Sequence, residues 1–143
     1  MLIETILKHK GGNVLTVSAD ASLFEVASVL DQKRIGAVVA VNAQGELAGV
    51  LSERDIVRQF ARHGEAAIEM PVSDAMTRGV ITADPSETID VCLARMSDRR
   101  IRHLPIVSDG TLRGIISIGD LVKHKIDEVA AEAEAMTSYI KSG

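Results

Sequence analysis

Two short phrases of this chain place an aspartate three residues after a serine. They are GVLSERD, with Ser52 and Asp55, and GIISIGD, with Ser117 and Asp120. Each phrase follows an apolar run and precedes a helical pattern, so each pair is expected at the amino end of a helix, a favourable place for an anion. A serine hydroxyl there can meet a phosphate, and a carboxylate one turn later can accept two hydrogen bonds from a ribose diol. Together the two side chains suit a nucleotide.

The same spacing has a structural interpretation. Serine is a preferred N-cap, and an acidic residue three positions later resembles a capping box. An acid in the first turn also interacts favourably with the helix dipole. For one copy alone capping would be the favoured interpretation. Two copies, each with a glycine (Gly49 and Gly114) where backbone can approach a ligand closely, favour ligand binding.

Other site chemistry has little support in the sequence. The four histidines are dispersed and Cys92 is the single cysteine, so neither a metal site nor an intrachain disulfide is predicted. Cys92 lies in an apolar helical pattern and is expected to be a buried, reduced thiol. The chain contains no nucleophile elbow, P-loop or Gly-x-Gly-x-x-Gly phrase. We therefore expect no catalytic residue and no metal.

The charge and the aromatic content of the chain limit the kinds of ligand and macromolecule that it could bind. The 143 residues carry a formal net charge of −4 and are only 2% aromatic, so aliphatic side chains and backbone groups would have to hold a flat ligand. Basic residues are scattered, whereas a nucleic-acid binder usually concentrates them on one face. No run approaches the ~18 apolar residues of a membrane span, and the first residues do not resemble a secretory signal. The expectation is a soluble cytoplasmic protein with no nucleic-acid or membrane partner.

The two serine phrases occupy equivalent positions of an internal repeat. Aligning Thr16 with Thr82 gives an offset of 66 residues, which also superimposes the apolar helical positions and the following strands. After one deletion the offset becomes 65, and the serines, aspartates and preceding glycines of the two phrases coincide. The chain is therefore predicted to contain two copies of one unit.

Each copy is predicted to run strand, helix, strand, strand, helix, which gives an α+β fold. The entry strands are VLTV and VIT, and the first helices are SLFEVASVLDQK, opened by a Ser22–Glu25 capping box, and ETIDVCLARMSDRR. Strand pairs AVVAVN with LAGVLS and HLPIVS with LRGIIS follow, and the last helix continues into an Ala/Glu-rich tail. The expected boundaries are 9–63 and 80–128 for the two domains, 64–79 for a linker and 129–143 for a helical tail.

These features resemble a tandem pair of CBS domains, the regulatory modules named after cystathionine β-synthase. The resemblance covers about residues 13–126 and rests on the duplicated serine phrase, on IGAVVAV and RHLPIV, and on SDAMTRGVITADPSETI. It implies two βαββα units packed sheet to sheet with pseudo-two-fold symmetry. It also implies two clefts that bind adenosyl ligands, such as AMP, ADP, ATP or NADH.

The resemblance assigns candidate ligand contacts residue by residue. In copy one they are Thr16, Gly36, Ala37, Val38, Ser52, Arg54 and Asp55. In copy two they are Thr82, Arg102, His103, Leu104, Pro105, Ser117, Gly119 and Asp120. In this assignment each aspartate takes the ribose hydroxyls, each serine faces phosphate or ribose, each threonine faces adenosine, and the strand starts line base and phosphate. The copies differ at the strand starts and just before the aspartates, so the two clefts are expected to be unequal.

Two alternatives to a nucleotide sensor stay open: a constitutive homodimeric scaffold with vestigial clefts, and an enzyme. A sensor would act through an unidentified protein that it regulates. A homodimer is expected because the helices carry apolar residues that an interface would bury. The residues named for that interface are Leu23, Val26, Val29, Leu30, Leu93 and Met96.

Overall fold

The computed structural model describes residues 1–11 and 14–142. The chain divides into two compact units. Unit 1 combines Met1–Gly12 with Thr82–Gly143, and unit 2 is Asn13–Ile81. The first residues of the chain thus belong with the second copy of the repeat, an arrangement that the sequence analysis did not predict.

Helices and strands alternate along both copies. In chain order the elements are α1 (Ile3–Lys10), β1 (Thr16–Ser18), α2 (Leu23–Lys33), β2 (Ala37–Val41), β3 (Leu47–Ser52), α3 (Glu53–His63), a 3₁₀ helix (Gly64–Ala67), α4 (Val72–Ala75), α5 (Ile89–Arg99), β4 (His103–Ser108), β5 (Thr111–Ser117) and α6 (Ile118–Ser142). The α+β class and the predicted order of the main elements are confirmed.

The first helix of each copy begins and ends through the same local chemistry. The side chains of Ser22 and Thr88 are the N-caps of α2 and α5, and they accept backbone N–H groups at 3.1 and 3.2 Å. Both helices end on an arginine in the left-handed conformation, Arg34 with φ 54° and Arg100 with φ 55°. The duplication therefore preserved the caps along with the apolar face.

The sheet of unit 2 has three strands in the order β1-β2-β3. β1 runs parallel to β2, and β2 pairs antiparallel with β3, so that Ala37 lies opposite Ser52. This register brings the start of β2 beside the end of β3, where α3 begins. Strand pairing thus fixes the part of the phrase from Gly49 to Ser52.

Among the described residues of unit 1 the sheet consists of β4 and β5, and the predicted entry strand VIT of the second copy is not part of it. A single parallel bridge joins Ala83 to Ile106. In unit 2 the N–H of Ala19 donates to Val41 at 2.9 Å and extends the parallel pairing. Pro85 stands at the equivalent position and has no N–H, so the pairing stops.

The apolar residues expected at a homodimer interface are mostly buried inside the protomer, which corrects that part of the sequence analysis. Leu23, Val26 and Leu30 belong to the core of unit 2, and Met96 is 1% exposed. The i, i+3, i+4 spacing that suggested an outer surface is the inward face of each helix. The exposed apolar side chains of these helices include Phe24 and Val91 instead.

A short helical segment lies on the last strand of each unit. In unit 1 it is α1, tied at Leu2 by a bridge to Thr88. In unit 2 it is α4, preceded by a bridge from Pro71 to Ser22 and followed by a bridge from Thr77 to Val50. The segment 64–79, interpreted from sequence as a linker, thus contains regular structure and the buried residues Ala67 and Val72.

α6 is one continuous helix of 25 residues, as the Ala/Glu-rich sequence predicts. Leu121 is fully buried, and Lys125 forms an ion pair with Asp90 at 3.0 Å, so the first part of α6 is held on unit 1. None of the helices in the described part of the chain combines the length and apolarity required to cross a membrane.

Candidate ligand-binding site

The junction between β5 and α6 forms a capping box, here called the Ser117 box. The N–H of Ser117 donates to Asp120 Oδ2 at 2.9 Å, and the N–H of Asp120 donates to Ser117 Oγ at 3.1 Å. The serine is half-buried, and the Asp120 side chain is 26% exposed. The box therefore holds a carboxylate at the amino end of a helix while leaving part of it accessible.

The junction between β3 and α3 forms the same arrangement, here called the Ser52 box. Both the N–H and the hydroxyl of Ser52 donate to Asp55 Oδ2, at 2.9 and 3.0 Å. The N–H of Asp55 donates to Ser52 Oγ at 3.3 Å. The Asp55 side chain is only 11% exposed. The capping interpretation therefore describes both boxes correctly, and a ligand that used the serine hydroxyls or Asp55 Oδ2 would compete with hydrogen bonds that cap a helix.

A matching hydrogen bond joins each box to the start of the neighbouring strand. In unit 1 the N–H of Ile118 donates to the carbonyl of Arg102 at 2.8 Å, and His103 pairs with Ser117 in the sheet. In unit 2 the N–H of Glu53 donates to the carbonyl of Gly36 at 2.9 Å. Each unit thus brings its strand start, its serine and its aspartate together.

Lys10, at the end of α1, forms an ion pair with the aspartate of the Ser117 box. Its Nζ donates to Asp120 Oδ2 at 2.7 Å and to the carbonyl of Ile115 at 2.9 Å. Burial opposes ionisation of Asp120, but the Lys10 ammonium and the Ser117 N–H outweigh it and lower the pKa of this carboxyl below its ordinary value. Asp120 is consequently a carboxylate at neutral pH.

Asp55 has a different cation. Arg58, one turn further along α3, approaches Asp55 Oδ1 at 3.3 Å through Nη1, and its side chain is 53% exposed. Both oxygens of Asp55 are therefore occupied, Oδ2 by the N-cap Ser52 and Oδ1 by an arginine of the same helix. In the Ser117 box both the serine N–H and the lysine contact Oδ2.

Several predicted contact residues can offer a ligand only their backbone. The side chains of Ala37, Val38 and Leu104 are no more than 4% exposed, and Pro105 is also buried. The carbonyl of Pro105 accepts the N–H of Ala83 at 3.0 Å. Backbone contact is compatible with the expectation that strand starts line a base, but it excludes these side chains as specificity determinants.

The remaining candidates are more accessible. Thr16, Arg54, Arg102 and Gly119 are exposed, and Thr82 is partly exposed. Arg54 and Gly119 occupy equivalent positions in the first turns of α3 and α6. The carbonyl of Thr82 accepts a hydrogen bond from Arg95 at 3.2 Å. Polar and cationic groups are therefore available near both boxes, in different arrangements.

The glycines of the two phrases have a different role from the one predicted. A Cβ on Gly49 would lie 2.6 Å from Met76 Sδ and 2.8 Å from the carbonyl oxygen of Thr77. A Cβ on Gly114 would lie 2.8 Å from Leu7 Cδ2. The space is filled by the segment that lies on each strand, so these glycines permit internal packing and do not open the strand to a ligand.

An open pocket of about 550 Å³ lies beside the Ser52 box in unit 2. Its lining comprises Ala27, Leu30, Asp31, Arg34, Ile35, Gly36, Glu53, Ile56 and Val57. Gly36 is the one predicted contact residue among them, and neither Ser52 nor Asp55 belongs to this lining between α2 and α3. The pocket therefore gives the predicted ligand contacts little support.

The burial of Cys92 agrees with the sequence analysis. Cys92 is fully buried, and desolvation is the main reason why the pKa of its thiol is raised. Within residues 1–11 and 14–142, no three histidine, cysteine, aspartate or glutamate side chains are grouped as a metal site would require.

Sequence reasoning missed the two cations that contact the aspartates. Arg58 could have been found, because its position three residues after Asp55 on a predicted helix brings the two side chains together. Lys10 lies 110 residues before Asp120. The basic stretch LKHKGG was visible in the sequence, but no local rule connects it to the second copy.

Comparison with known proteins agrees with this duplicated architecture. The model of the CBS domain family matches residues 6–62 and again residues 72–127. The chain belongs to the CBS-domain family. A mitochondrial CBS domain-containing protein of Arabidopsis thaliana, CBSX3, is 32% identical over 149 residues, which cover 99% of this chain and 72% of that protein.

Solved structures of CBS-domain proteins match the fold. The CBS-domain containing protein ATU1752 from Agrobacterium tumefaciens has a TM-score of 0.84 and 40% identity, with 87% of this chain and 92% of that chain covered. The CBS domain protein PAE2072 from Pyrobaculum aerophilum, described as complexed with AMP, has a TM-score of 0.75 and 28% identity, with 84% and 89% covered. A CBS domain pair of the protein MJ0100, in complex with 5′-methylthioadenosine and S-adenosyl-L-methionine, has a TM-score of 0.79 and 26% identity, with 90% and 98% covered.

Proposed function

We propose that this protein is a regulatory module that binds an adenosyl ligand and performs no chemistry on it. The observation that carries the proposal is the Ser117 box, in which a serine, an ionised aspartate and a lysine meet at the amino end of a helix. CBS-domain pairs of known structure that resemble this chain are described in complex with AMP and with S-adenosyl-L-methionine. Their ligands share an adenosine group, which suits a carboxylate that accepts ribose hydroxyls.

Unit 1 is the better candidate for a phosphate-bearing ligand. A ribose diol can use the accessible part of Asp120, and the Lys10 ammonium is then positioned beside any phosphate near the amino end of α6. Arg102 and His103 lie at the adjoining strand start. The Ser52 box binds its aspartate more tightly to its own helix and buries it more deeply. AMP, ADP, ATP and NADH are the ligands that combine both features.

Calorimetry with adenosine and AMP tests this assignment. The wild-type protein is expected to prefer AMP, because Lys10 can form a charge-assisted hydrogen bond with phosphate but not with the nucleoside. Lys10→Met should reduce that preference by about tenfold, while Lys8→Met, on the same turn of α1 but without a contact to Asp120, should leave it unchanged. An unchanged preference in Lys10→Met would remove the phosphate role of this residue.

Thermal unfolding separates a sensor from the alternatives. A ligand that binds only the folded protein stabilises it by ~2.7 kcal/mol at a hundredfold excess over Kd, which raises Tm by about 5–10 °C for a chain of this length. The ligands to test at millimolar concentration are AMP, ADP, ATP, NADH and S-adenosyl-L-methionine. If none of them shifts Tm by more than about one degree, the constitutive scaffold is the better supported function. Conversion of an added nucleotide into a product would instead establish an enzyme.

A homodimer and a regulated partner protein complete the proposal. Ligand binding to one or both boxes would change the stability or the arrangement of the module, and the partner would respond to that change. The exposed apolar side chains of Phe24, Val57 and Phe60 in unit 2 and of Val91 in unit 1 support association. They replace the buried residues that the sequence analysis had assigned to this role.

A further inference from the structure

Lys10 takes up hydrogen-bonding capacity that a ribose would need at Asp120. Oδ2 of Asp120 accepts the N–H of Ser117 at 2.9 Å and the Lys10 ammonium at 2.7 Å. A carboxylate oxygen offers about two lone pairs, so Oδ2 already has its full number of donors. A ribose diol presents two adjacent hydroxyls and uses both oxygens of a carboxylate. One of the two present donors must therefore leave Oδ2 before the diol can bind.

Lys10 is the donor that can leave. The N–H of Ser117 belongs to β5, which pairs with β4 at His103, so its position is fixed by the backbone. The Lys10 ammonium stands on a flexible four-carbon stem instead, and its side chain is 38% exposed. Its second contact is a single hydrogen bond to the carbonyl of Ile115 at 2.9 Å. The ammonium can consequently move away from Asp120 while α1 stays in place.

We propose that Lys10 is a specificity-determining residue that selects adenine nucleotides against nucleosides and thioethers with the same adenosyl group. The inference rests on the adenosyl-binding function proposed above. Ribose binding to Asp120 displaces the Lys10 ammonium, and a 5′-phosphate then gives that ammonium a new anionic partner. Adenosine and 5′-methylthioadenosine offer it none, so the displacement is compensated only when the ligand is a nucleotide. This replacement of carboxylate by phosphate is called the Lys10 exchange.

The size of the effect follows from the exposure of the ion pair. The side chains of Lys10 and Asp120 are 38% and 26% exposed, so solvent screens their attraction, and breaking the pair weakens a ligand by at most about fivefold. A phosphate returns at least this much, because its charge-assisted hydrogen bond with Lys10 replaces the one lost from the carboxylate. Lys10 thus opposes every ligand at Asp120 and favours those that carry a phosphate.

Calorimetric titration of three ligands that share the adenosyl group tests the Lys10 exchange. Lys10→Met should bind AMP about threefold more weakly than the wild type, and adenosine and 5′-methylthioadenosine about threefold more tightly. Lys8→Met, the matched control on the same helical turn, should keep all three affinities within about twofold. If Lys10→Met loses affinity for AMP and gains none for the other two ligands, Lys10 is a phosphate contact alone and the exchange is overturned. Unchanged affinities for all three ligands also overturn it.

Nuclear magnetic resonance of the lysine ammonium groups observes the displacement directly. The Lys10 signal, assigned by its absence from Lys10→Met, should shift when adenosine binds and shift differently when AMP binds, because the new partner is water in one case and phosphate in the other. Urea unfolding without ligand verifies that the variant retains its folded units. An unchanged Lys10 signal in protein saturated with adenosine overturns the displacement, whereas a wild type that binds none of the three ligands overturns the adenosyl-binding function and the exchange with it.

Discussion

The Ser52 box and the Ser117 box share every hydrogen bond of a capping box, yet their electrostatics differ. Asp55 is paired with Arg58 of its own helix, whereas Asp120 is paired with Lys10 from the first helix of the chain. The capping box depends only on a serine and an aspartate three residues apart. A duplication of the phrase therefore duplicates the cap. The cation that contacts Asp120 comes from the helical segment packed beside the strand, and this segment differs between the two units.

The helical segments that lie on the last strands explain this difference. α1 has eight residues and α4 has four, so α1 is longer by one turn. Leu7 and Met76 occupy corresponding places above Gly114 and Gly49. The additional turn of α1 carries Lys10 past that place to the carboxylate of Asp120. Lys10, three residues after Leu7, thus gives the Ser117 box a cation from a segment outside the repeated phrase.

The largest expected effect concerns the aspartates. If Asp120 accepts the ribose hydroxyls, Asp120→Asn should weaken binding of AMP by roughly ten- to a hundredfold, since charge-assisted hydrogen bonds contribute about 1.5–3 kcal/mol. Asp55→Asn should cause a smaller loss, because Asp55 is less exposed and already satisfied by its own helix. Isothermal titration calorimetry of both variants measures the difference, with Asp127→Asn on the exposed face of α6 as the control. Unchanged affinity in both box variants would leave the serine phrases as helix caps alone.

The next largest effect concerns Gly49 and Gly114. Replacement by alanine should lower the free energy of unfolding by different amounts at the two positions. Gly49→Ala forces a methyl group against the backbone carbonyl of Thr77, so it should destabilise the protein by about 1–3 kcal/mol. Gly114→Ala meets only the end of the Leu7 side chain, which can rotate, so its cost should stay below about 1 kcal/mol.

Urea unfolding measures both costs on the same protein. Gly119→Ala is the control, because its Cβ would have no contact closer than 3.6 Å and alanine restricts the unfolded chain. It should therefore be neutral or slightly stabilising. Equal costs for Gly49→Ala and Gly114→Ala would contradict the distinction between a backbone contact and a side-chain contact.

The sequence predicts those features of the two units that arise from short spacings. The capping boxes, the apolar helix faces and the paired strands depend on residues a few positions apart, and repetition made them easier to detect. The lost entry strand of unit 1 depends on Pro85, whose missing N–H is a local cause that the pattern VIT did not include.

The contacts that distinguish the two boxes could not be predicted from short sequence spacings. The Lys10–Asp120 pair joins residues at opposite ends of the chain, and the filling of Gly49 and Gly114 depends on which segment packs over each strand. A helical period also does not reveal whether its apolar face points to the protein's own sheet or to a partner. For that reason the spacing of Leu23 and Val26 is also compatible with an outer surface, although both side chains are buried.

The smallest expected effect is the pH dependence of stability that Lys10 gives to unit 1. The pKa of Asp120 is lowered in the folded protein, so its contribution to stability is present above the unfolded value of about 3.9 and is lost as the pH falls through the folded pKa. The Lys10 side chain is 38% exposed, which limits the contribution of the pair to less than about 1 kcal/mol. Lys10→Met should therefore be less stable than the wild type at pH near 7, and the difference should shrink at pH near 3.

Arg58→Met provides the comparison in unit 2. Arg58 is 53% exposed and lies 3.3 Å from Asp55, compared with 2.7 Å for Lys10 and Asp120, so its removal should cost less at neutral pH. Urea midpoints of both variants and the wild type at several pH values give the two differences directly. If the two substitutions had the same cost at every pH, the additional turn of α1 would have no electrostatic consequence. A loss in Lys10→Met that shrinks on acidification, beside a smaller loss in Arg58→Met, would instead show that a segment outside the repeat stabilises the carboxylate of one box.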